Sequence, residues 1–240
     1  MIETLGGMYI FINKKLKRVK SLLFLFSNLL FFIIISIICM RCDMIGIYDY
    51  TVLLTYMNFI SGILGIIQAS KGNYFYAIIL LMFAGLCDMF DGKVARTKKK
   101  RTIEERHFGI QLDSLADVVS FGVLPAIIGY MLGAPLILVV LFPTAGLIRL
   151  AWFNVLEITR NSSEPVKTYT GLPITSSAMV FPFIYMLKGL LGSYFELVYI
   201  IMMAVVGTLF ILKIKIKKPG FKTMIGFIIA GLIMFVVMVL

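Results

Sequence analysis

Residues 74–96 read YFYAIILLMFAGLCDMFDGKVAR, a long apolar run that ends in two aspartates, a glycine and an arginine. Residues 109–117 read GIQLDSLAD and place two more aspartates at the head of a second apolar run. The chain has 12 acidic residues, and a third of them lie in these two stretches. Because carboxylates are costly inside apolar spans unless they serve a function, this concentration is the main indication of what the chain does.

The rest of the composition indicates a membrane protein. Of 240 residues 60% are hydrophobic, and the mean hydropathy of +1.00 is well above that of a soluble domain. Apolar segments of roughly 17–25 residues recur along the chain, as in polytopic helical proteins. We therefore predict an all-α integral membrane protein with spans near residues 52–69, 74–92, 108–131, 135–156, 173–190, 195–212 and 221–239, and a further apolar run at 21–39.

The net charge of +11 lies in short basic blocks beside the apolar spans, a distribution typical of cytoplasmic loops. Anionic lipid headgroups are the natural partner of such blocks, and we do not expect nucleic-acid binding. Residues 93–106 carry seven Lys or Arg residues against two glutamates, so we expect this loop in the cytoplasm. The four aspartates would then lie in the cell membrane close to its cytoplasmic face.

The N-terminal segment, residues 1–45, does not fit the alternation of the other spans. A true span at 21–39 would put the basic residues 14–20 outside the cell, against the rule that basic residues beside membrane spans lie on the cytoplasmic side. The apolar run could lie on the membrane surface, form a hairpin within it, or be upstream sequence read from an early start codon. We predict an accessory segment at 1–45, a membrane domain at 46–215, and an additional C-terminal transmembrane helix at 216–240.

The spacing of the four aspartates predicts a metal site. Asp88 and Asp91 are three residues apart, which places them on one face of a helix. Asp113 and Asp117, four residues apart, share a face of the next helix in the same way. Each ionised side chain costs roughly 2.5–3.5 kcal/mol within a span, so four of them need compensating cations. Mg²⁺ or Mn²⁺ fits an all-oxygen set better than zinc does, because the chain has a single histidine and no cysteine joins the group.

Two glycines and an arginine extend the pattern toward a diphosphate. Gly92 lies one turn after Asp88, and Gly109 one turn before Asp113, so a ligand can approach the backbone closely there. Arg96 can offer its planar guanidinium to a phosphate. Two alternatives remain at this point: helix-end aspartates facing a solvated crevice, or a cation pathway. A cation pathway explains the aspartates but not the glycines or the arginine.

This pattern, D-x-x-D-G-x-x-A-R followed by G-x-x-x-D-x-x-x-D, resembles the signature of the CDP-alcohol phosphotransferases, integral membrane enzymes of phospholipid synthesis. Every fixed position of the motif is present. The gap between its halves, residues 97–108, is 12 residues long, against about eight in many members. The resemblance covers roughly residues 50–215 and implies a six-helix membrane core.

The resemblance also implies a reaction. In this family an alcohol hydroxyl attacks the lipid-side phosphorus of a CDP-linked lipid, CMP leaves, and two ions, Mg²⁺ or Mn²⁺, clamp the diphosphate. By position, Asp88, Asp91 and Asp113 match the metal ligands. Asp117 matches the general base, with a shared metal contact.

The nucleotide and diphosphate side of the site is predicted from the same resemblance. Asn58 and Ser61 resemble the family's nucleotide-side polar residues, although small polar residues also mediate ordinary helix packing in membranes. Thr97 and Lys98 are candidates for phosphate contact beside Gly92, Arg96 and Gly109. Residues 99–101 are expected at a solvated surface that attracts anionic lipid.

The flanking residues are most similar to the membrane-embedded, metal-dependent phosphatidylserine synthases. Residues 109–126 read GIQLDSLADVVSFGVLPA, and residues 171–178 read GLPITSSA, with weaker agreement at the end. Residues 149–154 read RLAWFN where those enzymes commonly carry RLARFN, so Trp152 departs from the pattern. The resemblance therefore implies transfer of a phosphatidyl-type group from CDP-diacylglycerol or an ether-lipid analogue to L-serine, with release of CMP.

The acceptor residues are less sharply indicated. Arg149 lies about two turns inside its span and needs an anion there, which is the serine carboxylate, a lipid phosphate, or a structural partner such as an aspartate or Glu157. Asn154 either holds the serine ammonium or packs between helices, and Ser114 and Ser120 are further candidates. Glycerol 3-phosphate or inositol phosphate is the alternative acceptor, and a cation transporter is the alternative class of protein. Members of the family commonly form dimers, so a homodimer is expected.

Overall fold

The apolar runs fold into helices, as their length and composition predict. The computed structural model describes residue 27 and residues 45–158, 168–217 and 220–239. The predicted accessory segment 1–45 therefore lies almost wholly outside the described residues. In the described part of the chain the α-helices are α1 (Leu53–Ser70), α2 (Tyr74–Ala95), α3 (Ile103–Asp117), α4 (Leu124–Met131), α5 (Leu136–Ile158), α6 (Ser177–Met186), α7 (Lys188–Leu191), α8 (Phe195–Ile211) and α9 (Phe221–Val239).

Five helical stretches of the described chain are long and apolar enough to cross a membrane, which confirms an all-helical, polytopic membrane protein. They are Leu53–Ser70, Tyr74–Ala95, Ile103–Met131, Leu136–Leu156 and Lys188–Ile211. The predicted spans at 173–190 and 221–239 correspond to shorter apolar helices, Ile174–Met186 and Thr223–Val239. The first of these ends early, because α6 stops at Met186 and a short helix, α7, and a 3-10 turn, Gly192–Tyr194, follow it.

A π-helical segment, Val118–Val123, joins α3 to α4 directly after Asp117. The Leu124 amide donates to the carbonyl of Val119, five residues back. Pro125 has no amide hydrogen and its ring would crowd the carbonyl four residues earlier, which favours the wider turn here. Sequence periodicity predicts one uniform helix over 108–131, so the π segment is a feature that only the structure reveals.

Helix α1 packs closely on the π segment and on α4 through small residues. A methyl group added at Gly62 would overlap Ser120, and one at Gly65 would lie 2.6 Å from a methyl carbon of Leu124. Such small residues let two membrane helices approach at the backbone. This approach brings the polar face of α1 beside the end of α3.

The structure also contains two three-residue strands that the sequence does not predict. The strand β1 (Thr168–Thr170) pairs antiparallel with β2 (Lys215–Lys217), where the sequence indicates only loops. Gly171 follows β1 with a φ of +81°, and an added Cβ there would lie 2.8 Å from the carbonyl oxygen of Phe210. The pairing joins the connection before α6 to the connection after α8.

Candidate active site

Three of the four predicted aspartates form a cluster between α2 and α3. Asp88 and Asp91 lie near the end of α2, and Asp113 faces them from α3. One carboxylate oxygen from each lies within 4.8 Å of the other two. Asp91 is buried, and the other two are half-buried. The structure therefore brings Asp113 of the second pair to both aspartates of the first pair.

Helix α1 supplies a hydrogen-bond donor to this cluster. The Thr55 hydroxyl donates to Asp91 Oδ2 at 3.3 Å, and both side chains are buried. Sequence reasoning did not select Thr55. A signal for it exists, because Thr55 precedes Asn58 by three residues on a mainly apolar helix, which places both on one face.

Asp117 lies one turn beyond Asp113 and is only 4% exposed. Its Oδ1 accepts a hydrogen bond of 2.9 Å from the side-chain amide of Asn58. The carbonyl of Asn58 in turn accepts a 2.9 Å hydrogen bond from the Ser120 hydroxyl, which lies in the π segment. Asn58 therefore contacts an aspartate of the motif, a contact that the predicted nucleotide-side role does not include.

The aspartate cluster fits a hard divalent cation. Its ligands are all carboxylate oxygens, the set that Mg²⁺ and Mn²⁺ prefer. Asp113 Oδ1 is buried without a hydrogen-bond partner, and a buried carboxylate oxygen of that kind is costly unless a cation or donor meets it. The three carboxylate oxygens all lie within 4.8 Å of one another. Oxygens that ligate one Mg²⁺ lie up to about 4.2 Å apart, so small side-chain movements would let all three contact one ion.

Gly92 and Arg96 lie together at the end of α2. Gly92 is exposed, and an added Cβ there would meet only Arg96 Nη2, at 3.9 Å. The guanidinium therefore lies over the open backbone at Gly92, one turn from Asp88. Thr97, also exposed, donates to the carbonyl of Val94 at 2.7 Å and so ends the helix. Ser61 is fully buried, and its hydroxyl donates to its own helix at Met57, at 2.7 Å.

The basic loop after α2 makes ion pairs and hydrogen bonds that its run of charges does not predict. Lys98 Nζ lies 2.7 Å from Asp49 Oδ2 and 2.8 Å from Glu105 Oε1. Glu105 also closes a capping box with Thr102, in which each side chain accepts a 3.1 Å hydrogen bond from the other's amide. Lys98, predicted as a candidate for phosphate contact, is therefore engaged in ion pairs.

These contacts shift the pKa values at the loop. Burial raises the pKa of Asp49, but hydrogen bonds from Lys98 and Thr51 outweigh burial and hold that pKa below its ordinary range. The hydrogen bonds to Asp49 and Glu105 raise the pKa of Lys98. Both groups are therefore ionised together at neutral pH.

Arg101 was expected at a solvated surface, and that prediction is wrong. The side chain is half-buried, and its Nη2 donates to the carbonyl of Glu105 at 3.2 Å. A Cβ added at Gly109 would lie 2.9 Å from the same nitrogen. The reason is the loop's own ion pairs and capping box, which fold residues 97–102 back against α3.

The structure places the predicted acceptor residues at three positions. The Ser114 hydroxyl donates to Asn154 Oδ1 at 3.0 Å, and both side chains are buried, so they link α3 to α5. Arg149, half-buried on α5, acts electrostatically on Asp88. Ser120 lies elsewhere, on the carbonyl of Asn58. Trp152, where the sequence departs from the family pattern, is 57% exposed.

The helices and the aspartate cluster define a polytopic membrane protein with an acidic site between its spans. The chain belongs to the CDP-alcohol phosphatidyltransferase family, whose model matches residues 50–211. This membership confirms the resemblance carried by the aspartate motif.

Several curated relatives share the sequence. Archaetidylserine synthase of Methanothermobacter thermautotrophicus is 37% identical over 176 residues, which cover 69% of this chain and 68% of that protein. CDP-diacylglycerol–serine O-phosphatidyltransferase of Methanocaldococcus jannaschii is 36% identical over 180 residues, 72% of this chain and 75% of that protein. The Helicobacter pylori protein of the same name is 36% identical over 140 residues, which cover 56% of each chain.

Proposed function

We propose that this protein transfers a phosphatidyl-type group from a CDP-linked lipid to the hydroxyl of L-serine and releases CMP. The observation that carries the proposal is the meeting of Asp88, Asp91 and Asp113 within 4.8 Å, beside the exposed pair Gly92 and Arg96. The names of the relatives above, which specify serine as the acceptor, support the choice of alcohol.

Asp88, Asp91 and Asp113 would hold two divalent ions, Mg²⁺ or Mn²⁺, with Asp117 as a shared ligand. When bound, such ions neutralise the diphosphate and the charge that develops on the attacking and leaving oxygens. Thr55 orients the Asp91 carboxylate through its hydroxyl, as outer hydrogen bonds do at metal sites. Arg96 binds a phosphate oxygen of the diphosphate, and Gly92 leaves room for the phosphates at the backbone.

Asp117 is the general base in this proposal. Its Oδ1 accepts a hydrogen bond from the Asn58 amide, and Oδ2 is the oxygen that accepts the proton of the serine hydroxyl. The serine oxygen then bonds to the lipid-side phosphorus, and the bond from that phosphorus to the bridging oxygen breaks. CMP leaves with the electron pair, so charge and atoms balance. Asn58 acts as a positioning residue.

Helices α3 and α5 offer the acceptor site. Arg149 supplies the positive charge that a serine carboxylate needs, and it acts electrostatically on Asp88, where the reaction takes place. Asn154 and Ser114, already hydrogen-bonded to each other at 3.0 Å, provide polar atoms for the serine ammonium. The acceptor would thus bind between the aspartate cluster and α5.

The proposed site opens at the cytoplasmic leaflet, because the basic loop 93–106 connects the two helices that carry the aspartates. Soluble serine and the lipid substrate can meet there. A homodimer remains a prediction from the family resemblance.

A direct assay tests the proposal. Purified protein in detergent is given CDP-diacylglycerol or an ether-linked analogue, Mg²⁺ or Mn²⁺, and one acceptor among serine, glycerol 3-phosphate and inositol phosphate. We expect CMP release that depends on serine, with labelled serine recovered in the lipid product. Release supported by another acceptor but not by serine would overturn the serine assignment. Asp117→Asn should abolish turnover while Mn²⁺ binding is retained, and unchanged turnover would reject the base role.

A further inference from the structure

We propose that Arg101 is a second diphosphate-binding residue, seated over Gly109 by the extended loop between the two halves of the motif. The inference rests on the proposed function, because it assigns the phosphate ligand of the same site. The loop, residues 97–102, lies in the part of the chain where the gap in the motif is long.

The position of the guanidinium relative to α3 is the first support. A Cβ at Gly109 would lie 2.9 Å from Arg101 Nη2, so the absence of a side chain at 109 makes room for the arginine. Gly109 precedes Asp113 by one helical turn on the same face. Arg101 therefore lies along the face of α3 that carries the third aspartate of the cluster.

The second support is that Arg101 has N–H donors that the protein does not use. A guanidinium has five N–H donors, and the described contact of Arg101 is one bond from Nη2 to the carbonyl of Glu105. Its Nε is buried and has no hydrogen-bond partner in the protein. A buried charged donor without an acceptor is costly, and an anion bound at this place removes that cost.

The carboxylate of Glu105, whose backbone carbonyl Arg101 contacts, is engaged by other groups. Glu105 Oε1 pairs with Lys98, and Glu105 Oε2 accepts from the amide of Thr102. Among the described residues, the two ion pairs of this loop are those made by Lys98. The positive charge of Arg101 thus remains available for a ligand.

The third support is that the loop is fixed on both sides of Arg101. Lys98 ties it to Asp49 and to Glu105, and the capping box of Thr102 fixes the start of α3. An arginine held in this way loses less conformational freedom when it binds an anion than one on a solvated surface. Arg96 at the end of α2 and Arg101 over the start of α3 would then contact the diphosphate from two helices.

The chemistry that Arg101 recognises is a phosphate oxygen, which a nucleoside diphosphate or an anionic lipid headgroup can supply. Two experiments separate these sources, a nucleotide titration and a vesicle-binding measurement. CDP and cytidine are titrated into the purified, full-length protein with Mg²⁺, and binding to vesicles of anionic lipid is measured without nucleotide. Arg101→Gln is the test variant, and Lys100→Gln, an exposed neighbour in the same loop, is the matched control.

We expect Arg101→Gln to weaken CDP binding about 10- to 100-fold, since charge-assisted hydrogen bonds to phosphate are lost. Cytidine affinity and the melting temperature should stay within error of the wild type, and Lys100→Gln should match the wild type in all three. Arg101→Lys should recover part of the affinity for CDP, because it keeps the charge but not the planar fork.

Gly109→Ala provides a second test, because its methyl group must displace the guanidinium. If the glycine acts through Arg101, the double variant Gly109→Ala/Arg101→Gln should bind CDP no more weakly than Arg101→Gln alone. A full additional loss in the double variant would show that Gly109 serves the ligand directly and would overturn the seating of Arg101.

The outcomes distinguish the inference from the function on which it rests. A wild-type protein that does not bind CDP would contradict the proposed function. A wild type that binds CDP, with Arg101→Gln binding it equally well, would overturn the inference alone. Weaker vesicle binding by Arg101→Gln with unchanged CDP affinity would also overturn it, in favour of a surface lipid contact.

Discussion

The contact between Asn58 and Asp117 leads to a prediction that separates two roles for Asn58. The amide donates to Asp117 Oδ1 at 2.9 Å, and the two side chains are 0% and 4% exposed. Asn58→Ala removes the donor at a place where water has little access. A hydrogen bond to a charged group contributes about 1.5–3 kcal/mol, and each 1.36 kcal/mol corresponds to a tenfold change in rate.

If Asn58 positions the general base, Asn58→Ala should lower kcat about 10- to 100-fold and leave the KM for the CDP-lipid nearly unchanged. Serine-dependent CMP release at saturating serine, measured across a range of CDP-lipid concentrations, gives both constants. Ser70→Ala is the matched control on α1, because its hydroxyl donates only to its own helix, at Ile66. A raised KM with kcat retained would refute the positioning role and restore the nucleotide-side role predicted from sequence.

Three further perturbations test other parts of the structure. Asp113→Asn removes one of three clustered carboxylates, and it should weaken Mn²⁺ binding at least about tenfold in calorimetric titration; unchanged affinity would exclude this cluster as the ion site. Gly62→Ala forces a methyl group onto Ser120 and should lower the free energy of unfolding by about 1–3 kcal/mol. Gly226→Ala is the control, because the space around Gly226 is open and the added methyl group should not lower stability. Thermal melting in detergent compares the two variants. Asp49→Asn breaks the pair with Lys98 and should lower the melting temperature slightly, because partly exposed ion pairs contribute little to stability. The pKa of Asp49 is lowered in the folded protein, so this stabilisation is present above the ordinary value of 3.8 and is lost as pH falls through the folded pKa. The difference in melting temperature between variant and wild type should therefore vanish in acid. A difference that persists in acid would contradict the ion pair as its cause.

Sequence reasoning was most successful where the argument depended on local spacing. The pairing of Asp88 with Asp91 follows from the helical repeat, and the apolar lengths of the spans follow from membrane thickness. The meeting of aspartates from α2 and α3 depends further on α1, which packs against both of these helices. The capping box of Thr102 was not predicted, although the Thr102-x-x-Glu105 spacing carries its pattern.

The features that sequence reasoning missed depend on contacts between distant parts of the chain. Asn58 and Asp117 are separated by 59 positions, and no periodicity indicates which side chain on α3 the amide of Asn58 meets. The π segment reflects a change of hydrogen-bond register beside Pro125, which an apolar run does not reveal. Arg101 belongs to a charge run of a kind that is usually solvated, and its half-buried position accompanies the ion pairs of Lys98 with Asp49 and Glu105 in the same loop.

Helix α1 carries no carboxylate, yet it contributes one donor to each half of the aspartate motif. Thr55 meets Asp91 of α2, and Asn58, three residues later on the same face, meets Asp117 of α3. These contacts require α1 to approach the end of α3 closely, which Gly62 permits by lying directly against Ser120. A change in this packing should therefore alter the separation of the two aspartate pairs as well as stability. On this argument the geometry of the site depends on the small residues of α1 as much as on the acidic residues themselves.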